Sequence, residues 1–472
     1  MKKKIVLIFT AIALVAVLAS CLVACNKGFE WKAVGGGDAN AQVESNGGYL
    51  VKQGDYIYFI NGYVGSDADN TFGTPVKQSI VRVKLKADGT PDNDTAVVIA
   101  PKSVYNSAKK DGIAIYGDWI YYVTNNYAKD KNGKASTTDS DFMRTKIDGS
   151  ATQLIATISS RSVEYFFTPT RVWYFESNTL SYVDFSGMKN DGDVTNGKGA
   201  TSGSLDATVS SVVWSYGVNK IFYTRSAKNN TTSMSYNELC SIDLNGANDK
   251  VLATIDTYVA EGKQPTEDQQ NVFTFTLLGV AAEADDAATV YYTKTYTIES
   301  SKNAGLFMSK VAKNANSLDV QSEKHLTTYA VTTLYPLGYA EGALAYNSQS
   351  EYYWFSGAND DEHPALKVTD SSKTIWFVKA GYAYYTDSSS ASTLYKIPYK
   401  EAANTTVLFE ESMKVDWLPL DTAGNNLYFF ATNDNNYVHY IDYTTFNKDA
   451  EDAKSTMVGI YLDSEKPTED EE

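Results

Sequence analysis

The sequence is poor in histidine, cysteine and proline, and it has little positive charge. Its 472 residues include 3 His, 3 Cys and 10 Pro, and 57 acidic residues outweigh 41 basic ones, for a formal net charge of −16. A nucleic-acid-binding protein needs a basic face to neutralise phosphates, so we expect no nucleic-acid partner. Three histidines offer little for a histidine metal site or acid–base chemistry, and we assign no metal, cofactor or catalytic residue.

Helical periodicity is missing as well. No long stretch combines apolar residues at helical spacing with capping residues. Tyrosine, in contrast, is abundant, with 35 residues, and its side chain fits the half-buried surface of a pleated sheet. The composition therefore predicts an all-β protein. At roughly 100–200 residues per domain the length suggests two or three domains, unless a repeat joins the chain into one.

The N-terminus has the pattern of a secretory signal. The cationic residues Met1–Lys4 precede the uncharged, largely apolar run Ile5–Ala19, which together form the two leading regions of a signal peptide. The run resembles a bacterial lipobox, in which small apolar residues end in a cysteine that is lipidated. Two cysteines fit, Cys21 and Cys25. We prefer Cys25 because polar residues follow it directly, and we keep Cys21 as the alternative.

This pattern predicts a division of the N-terminal region. Residues 1–24 are expected to be the lipoprotein signal peptide, and residues 25–46 the lipidated cysteine and a flexible tether containing three consecutive glycines. Loss of Lys2, Lys3 and Lys4 with the signal changes the net charge from −16 to −19. A diacylglyceryl anchor meets the requirement of two chains for stable attachment. We therefore expect a lipid-anchored protein on the extracytoplasmic face of the cell membrane, with the membrane as one partner.

Beyond the tether, the chain repeats one pattern about every fifty residues. Each repeat contains a short run with paired aromatic residues, and the spacing is close to that of propeller blades, about 40–50 residues. Eight runs are present: Tyr56–Phe59, Trp119–Tyr122, Val172–Phe175, Ile221–Tyr223, Val290–Tyr292, Leu344–Tyr346, Tyr382–Tyr385 and Leu427–Phe430.

Turn signals divide each repeat into strands. Gly54-Asp55 and Gly117-Asp118 stand just before an aromatic run, and Asp88-Gly89 and Asp148-Gly149 follow the next strand. Gly-Asp and Asp-Gly pairs between strand-like runs are typical of hairpins. Each repeat is therefore predicted to be a four-stranded antiparallel sheet. The aromatic run is apolar on both faces, as a strand packed between two neighbouring blades must be.

The prediction is a β-propeller over residues 47–462, with eight blades or, alternatively, seven. A pair of β-sandwiches is the competing architecture. The last residues, 463–472, contain six acids and one lysine, and they predict a disordered acidic tail.

Within the repeats, three tetrapeptides carry a family resemblance. Tyr384-Tyr385-Thr386-Asp387 is similar to the Tyr-Trp-Thr-Asp motif, and the runs from Tyr291 and Phe222 keep its aromatic-aromatic-Thr part. The chain thus resembles bacterial lipoproteins with YWTD-type or TolB-like propeller repeats, related to those of low-density-lipoprotein receptors. The resemblance implies a propeller. It carries over no catalytic residue and names no ligand.

No motif points to a reaction. The sequence has no Gly-x-Ser-x-Gly nucleophile elbow, and a calcium-loop-like stretch at Asp191–Gly197 has its glycine misplaced for calcium. His325 and His439 stand alone, His363 follows three acids, and Cys240 is expected to be a buried, inert thiol. We therefore expect a non-catalytic propeller that binds a surface protein, peptide or glycan. The alternative is an extracytoplasmic hydrolase that uses carboxylates in the channel on glycans or lactones. The ligand-binding residues stay unknown at this stage.

Overall fold

The computed structural model shows an all-β chain arranged in eight antiparallel sheets, the blades of a propeller. The predicted fold class and the count of eight blades are confirmed. The structure describes the following residues: 33–63, 77–104, 112–125, 139–160, 163–228, 235–254, 273–284, 287–296, 305–319, 321–347, 352–356, 366–369, 373–379, 381–387, 390–400, 406–410, 425–442, 445 and 454–466.

The strands follow one another along the chain, and each pairs with the next within its blade. Blades 1 and 2 consist of β1 Val43–Glu44, β2 Leu50–Gln53, β3 Tyr56–Ile60, β4 Ile80–Leu85, β5 Pro91–Ala100, β6 Ala114–Tyr116, β7 Trp119–Asn125, β8 Ser140–Lys146 and β9 Thr152–Ile158. Blades 3 and 4 consist of β10 Glu164–Phe167, β11 Arg171–Glu176, β12 Thr179–Asp184, β13 Thr201–Ser204, β14 Val209–Val213, β15 Lys220–Lys228, β16 Ser235–Asp243 and β17 Lys250–Ala253.

The second half of the chain repeats this order. Blades 5 and 6 consist of β18 Phe273–Ala282, β19 Ala287–Tyr296, β20 Gly305–Ala312, β21 Lys324–Thr327, β22 Val331–Gly338, β23 Gly342–Asn347, β24 Tyr352–Phe355 and β25 Leu366–Thr369. Blades 7 and 8 consist of β26 Lys373–Lys379, β27 Tyr382–Asp387, β28 Ser390–Pro398, β29 Thr406–Glu410, β30 Asn426–Ala431, β31 Tyr437–Asp442 and β32 Thr456–Met457. Blade 1 has five strands, and three strands of blade 8 lie in the described part of the chain.

The core is divided among the spaces between blades. Each hydrophobic cluster joins two neighbouring blades, and the last joins blade 8 back to blade 1, which closes the ring. Representative contacts around the ring are Tyr58 with Ile120, Phe142 with Phe167, Trp173 with Tyr223, Phe222 with Val290, Tyr291 with Ala345, Leu344 with Tyr385, Tyr384 with Phe429, and Phe59 with Tyr428. These are the aromatic runs seen in the sequence. Full burial of one such side chain stabilises the fold by about 1.5–3 kcal/mol.

The two faces of the propeller differ in their connections. Because the strands alternate in direction, the links between first and second strands and between third and fourth strands all lie on one face. We call this the N-terminal face. Gly54 and Gly117 form tight turns there, with φ values of +56° and +61° that glycine adopts without strain. The links between second and third strands and between blades lie on the opposite face.

Ring closure is reinforced by the segment after β32. The Asn61 side chain donates a hydrogen bond to the Ile460 carbonyl (2.8 Å) and accepts one from the Ile460 N–H (3.2 Å). The Gly459 N–H donates to Oδ1 of Asn93 on β5 (2.8 Å). Farther on, Lys77 forms an ion pair with Glu465 at 2.9 Å. Residues up to 466 therefore pack on blade 1, whereas a disordered tail was expected from residue 463; residues 467–472 lie outside the described range.

The N-terminal segment also differs from the expected flexible tether. From residue 33 it lies on the N-terminal face, and β1 pairs with β2 as a fifth strand, with Val43 opposite Gln53. Glycines permit this packing, since a Cβ at Gly36 would lie 2.9 Å from Nη2 of Arg82. A two-residue strand preceded by glycines has no periodicity to detect, so the sequence placed the start of the propeller at residue 47. Residues 25–32 of the predicted tether lie outside the described range.

Candidate ligand site in the central channel

The first strands of the blades surround a central channel that contains two adjoining cavities. Their volumes are about 590 Å³ and about 700 Å³, and both are bordered by Gly47, Trp214, Ser215 and Tyr216. The first cavity reaches across the channel to Leu277 and Pro336 of blades 5 and 6. The sequence left the binding residues unknown, and the structure makes this space the candidate ligand site.

One wall of the site is the N-terminal segment. The Asn46 side chain acts like a short piece of strand, donating to the Ile115 carbonyl (3.1 Å) and accepting from the Ile115 N–H (2.8 Å). The Gly47 N–H donates to the Ile113 carbonyl at 2.8 Å. Together with β1, these bonds attach the segment to the first strands of blades 1 and 2. The segment therefore fills that side of the channel and leaves the cavities on the side of blades 3 to 6.

The facing wall is aromatic. Trp214 and Tyr216 lie in the connection between β14 and β15, and Phe166 on β10 packs against both, with ring centroids 5.7 and 4.5 Å apart. The Tyr116 hydroxyl donates to the Phe167 carbonyl at 2.9 Å. Aromatic side chains of this kind offer a large contact area at a small cost in conformational entropy.

The tyrosines of this wall are uncharged at neutral pH. Burial raises the pKa of Tyr116 and of Tyr216 well above the ordinary tyrosine value, and a hydrogen bond to the Phe167 backbone offsets only part of the rise for Tyr216. Both hydroxyls are therefore neutral groups. Among the described residues that line the two cavities, Glu164 is the one carboxylate and no lysine or arginine is present.

The channel also contains a hydroxyl group with unused hydrogen-bonding capacity. The Oγ atom of Ser45 is buried and has no hydrogen-bond partner among the described residues, and Ser45 adopts a left-handed conformation with φ of +63°. A non-glycine residue in this region carries about 1 kcal/mol or more of strain. Ser45 borders the larger cavity, so a polar group of a bound molecule can reach it.

Most other tyrosines hold blades together. Tyr122 and Tyr292 occupy corresponding places on second strands and bond through their hydroxyls to Thr145 and Ser309, each at 2.8 Å. The tetrapeptides behind the family resemblance also lie on second strands. In blade 7, Thr386 accepts a hydrogen bond from Trp376 (3.0 Å), and Asp387 pairs with Lys373 (3.3 Å). These roles are structural, so the high tyrosine content is not itself a sign of ligand binding.

The cysteines and two of the histidines divide as follows. Cys240 is fully buried, and burial, the largest cause, raises the pKa of its thiol to about 12, which makes it unreactive as predicted. Cys21, Cys25 and His363 lie outside the described residues. His325 stacks on Phe307 with ring centroids 4.4 Å apart.

His439 does not stand alone, contrary to the expectation from the sequence. Its Nδ1 atom lies 2.8 Å from the Ser455 hydroxyl, and its Nε2 atom lies 2.7 Å from Oδ2 of Asp434. Asp434 also accepts from the Tyr461 hydroxyl. The network joins the turn before β31, the strand itself and the residue before β32. It was missed because Ser455 is far from Asp434 in sequence and only pairing of the strands brings them together.

The calcium-like stretch Asp191–Gly197 packs on blade 2. Val194 forms a parallel bridge with Gln153, and Asp193 accepts from the Thr152 N–H at 2.9 Å. The Asp193 carboxylate is thus used to fasten the loop. The described part of the chain has no group of three or more His, Cys, Asp or Glu side chains placed to hold a metal ion.

Comparison with known proteins adds little to this picture. No protein-family model and no curated protein sequence matches the chain. Among solved structures, similarity is found to a prolyl endopeptidase (TM-score 0.38, 10% identity, covering 78% of this chain and 49% of that one). It is also found to dihydro-heme d1 dehydrogenase NirN (0.37, 10%, covering 79% and 66%) and to the WD40 domain of Toxoplasma gondii coronin (0.31, 11%, covering 92% and 96%).

These similarities do not extend to activity. The chain spans about half the length of the endopeptidase chain, and the TM-scores and identities are low throughout. The propeller assignment therefore rests on the sheets and inter-blade contacts of the chain itself. No helix among the described residues is long and apolar enough to cross a membrane.

Proposed function

We propose that the chain is a lipid-anchored extracytoplasmic protein whose propeller binds a ligand in the central channel without converting it. The observation that carries the binding function is the pair of adjoining cavities bordered by Trp214 and Tyr216. Ligand sites are generally concave, mostly apolar and supplied with a few polar groups, and this space fits that description. The anchor is supported by the lipobox-like sequence ending in Cys25, with Cys21 as the alternative. The resemblance to YWTD-type lipoproteins agrees with both parts.

The chemistry of the cavity wall favours binding over catalysis. A glycoside hydrolase uses two carboxylates that flank the bond, and the described wall presents one, Glu164. The neutral, aromatic lining suits an uncharged face of a protein segment, a peptide or a sugar ring. We therefore retain the non-catalytic function as our proposal, with a peptide, protein or glycan as the ligand.

The test is a binding screen with two variants of the full-length protein. Trp214→Ala removes the aromatic wall, whereas Tyr382→Ala removes a tyrosine that is 37% exposed on blade 7, away from the cavities. Immobilised peptide and glycan arrays serve as probes, and thermal unfolding confirms that both variants fold. We expect probes that bind the wild type to bind Tyr382→Ala equally and to lose at least about tenfold in affinity with Trp214→Ala. Unchanged binding by Trp214→Ala would remove the channel as the site.

Ser215→Trp provides a second variant that fills the cavity instead of enlarging it. It should block the same probes that Trp214→Ala weakens. Turnover of any bound glycan or peptide, followed by mass spectrometry, would contradict the non-catalytic part of the proposal.

A further inference from the structure

The path of the N-terminal segment shows which face of the propeller the chain leaves from. The Val34 N–H donates to the Asp148 carbonyl at 2.8 Å, and the Gly54 N–H donates to the Gln42 carbonyl at 3.1 Å. Asp148 lies in the link between the third and fourth strands of blade 2, and Gly54 lies in the link between the first and second strands of blade 1. Both belong to the N-terminal face. The segment then enters the channel as β1.

The larger cavity opens on the same face. Its rim includes Pro169, between β10 and β11, and Trp214–Asn219, between β14 and β15. Leu244, just after the third strand of blade 4, completes this side of the rim. All three positions are links of the N-terminal face. The mouth of the candidate ligand site and the exit of the N-terminal segment are therefore on one side of the molecule.

The length of chain between the lipid and the propeller limits how the molecule can sit. From Cys25 to Ala33 there are 33 − 25 = 8 residues, which span at most about 29 Å even when fully extended. The longest strands, such as β18 and β19, have 10 residues, so the propeller is about 33 Å thick at roughly 3.3 Å per residue. A chain that leaves the N-terminal face is too short to pass around the rim and bring the opposite face to the bilayer.

From this geometry we infer that the N-terminal face, with the mouth of the channel, is directed toward the lipid bilayer. The inference rests on the lipid anchor of the proposed function. Its consequence concerns the ligand, which has to enter the cavity from the membrane side, in a layer no deeper than the roughly 29 Å that the chain allows. The site thus suits a molecule that is itself attached to the membrane.

Two serines at opposite ends of one strand allow a matched test. Ser150 and Ser159 are both exposed; Ser150 lies before β9 on the N-terminal face, and Ser159 follows β9 on the opposite face. Ser150→Cys and Ser159→Cys are near-isosteric changes about 25 Å apart. Cys240 is buried and unreactive, so a thiol-reactive donor dye labels the introduced cysteine. The lipidated full-length variants are then placed in phosphatidylcholine vesicles that contain a lipid-linked acceptor dye.

We expect clearly stronger energy transfer to the lipid acceptor from position 150 than from position 159, and equal donor emission from the two in detergent. Equal or reversed transfer in vesicles to which both variants are bound would overturn the orientation while leaving the anchor intact. Failure of both variants to float with vesicles would instead overturn the anchor of the proposed function, and the orientation with it.

Discussion

The ring of Tyr216 lies so close to Gly47 across the channel that a Cβ atom at Gly47 would be 2.2 Å from Cε2 of the tyrosine. This contact connects the N-terminal segment with blade 4, on the far side of the first cavity wall. Gly47 also has φ of +92°, a conformation unfavourable for other residues. Gly47→Ala should therefore lower the free energy of unfolding by about 3 kcal/mol, from backbone strain and from displacement of the ring. Chemical denaturation measures the loss.

Gly89→Ala is the matched control for this substitution. Gly89 has a similar φ of +84°, but a Cβ there would meet nothing within 4 Å. It should cost only the strain of the left-handed conformation, about 1–2 kcal/mol. Equal losses for the two variants would show that the contact between Gly47 and Tyr216 contributes nothing. Ligand affinity, once a probe is known, should change only for Gly47→Ala.

Gln153 fastens the 187–200 loop of blade 3 to blade 2. Its side chain is fully buried; its amide nitrogen donates to the carbonyls of Gly192 (2.8 Å) and Lys189 (3.1 Å), and its oxygen accepts from Arg144 (2.7 Å). Gln153→Glu keeps the arginine contact but replaces the donor with an acceptor facing carbonyl oxygens. Unsatisfied buried groups cost about 1–3 kcal/mol each, so we expect a loss of roughly 2–3 kcal/mol.

Release of the loop should also be visible directly. Lys198 is exposed within it, and trypsin should cleave there faster in Gln153→Glu than in the wild type. Gln321→Glu makes the same chemical change at an exposed residue and should alter stability by no more than about 0.5 kcal/mol. If Gln153→Glu is cleaved at the wild-type rate, the loop is held by its other contacts.

The sequence predicted the architecture well for a physical reason. The second strands must be apolar on both faces to pack between blades, and this requirement leaves a recurring aromatic run that is visible without a structure. Gly-Asp and Asp-Gly pairs mark the turns because those positions need unusual backbone angles. The buried rings of Tyr58, Trp173 and Tyr428 are all in predicted runs.

The candidate site could not be found in the same way. Gly47, Trp214 and Tyr216 are brought together only when the ring closes, and nothing in their local sequence separates a channel aromatic from a core aromatic. The contacts of Asn46 with Ile115 and of Asp434 with His439 likewise depend on how strands are placed. Loop docking by Gln153 is invisible because its partners are backbone carbonyls, which every residue has.

Lipid attachment at Cys25 is tested by exchanging each candidate cysteine. Cys25→Ala should move the protein from the membrane fraction to the soluble fraction, because the acyl chains supply the attachment. Cys21→Ala, two residues away from the apolar run, should leave it on the membrane and serves as the control. The reverse pattern would make Cys21 the lipidated residue. Release of neither variant would refute the lipoprotein assignment.

Glu465 links the end of the described chain to blade 1 and gives a pH-dependent contribution to stability. Its carboxylate pairs with Lys77 at 2.9 Å and accepts from the Tyr437 hydroxyl at 2.8 Å. The hydrogen bond with Lys77, the largest favourable cause, lowers the pKa of Glu465 below its ordinary value of 4.5. Since the folded state binds the proton less tightly than the unfolded state, this stabilisation is present above that value and is lost as the pH falls through the lowered pKa.

Glu465→Gln should therefore reduce the free energy of unfolding by about 1 kcal/mol at neutral pH. The difference from the wild type should shrink as the pH is lowered below about 4, because the protonated carboxyl then resembles the amide. Denaturant titrations of both proteins across this range measure it. Glu176→Gln, at an exposed end of β11, removes the same charge and should show no such pH-dependent difference. A Glu465→Gln effect that stays constant with pH would mean that the ion pair with Lys77 does not stabilise the closed ring.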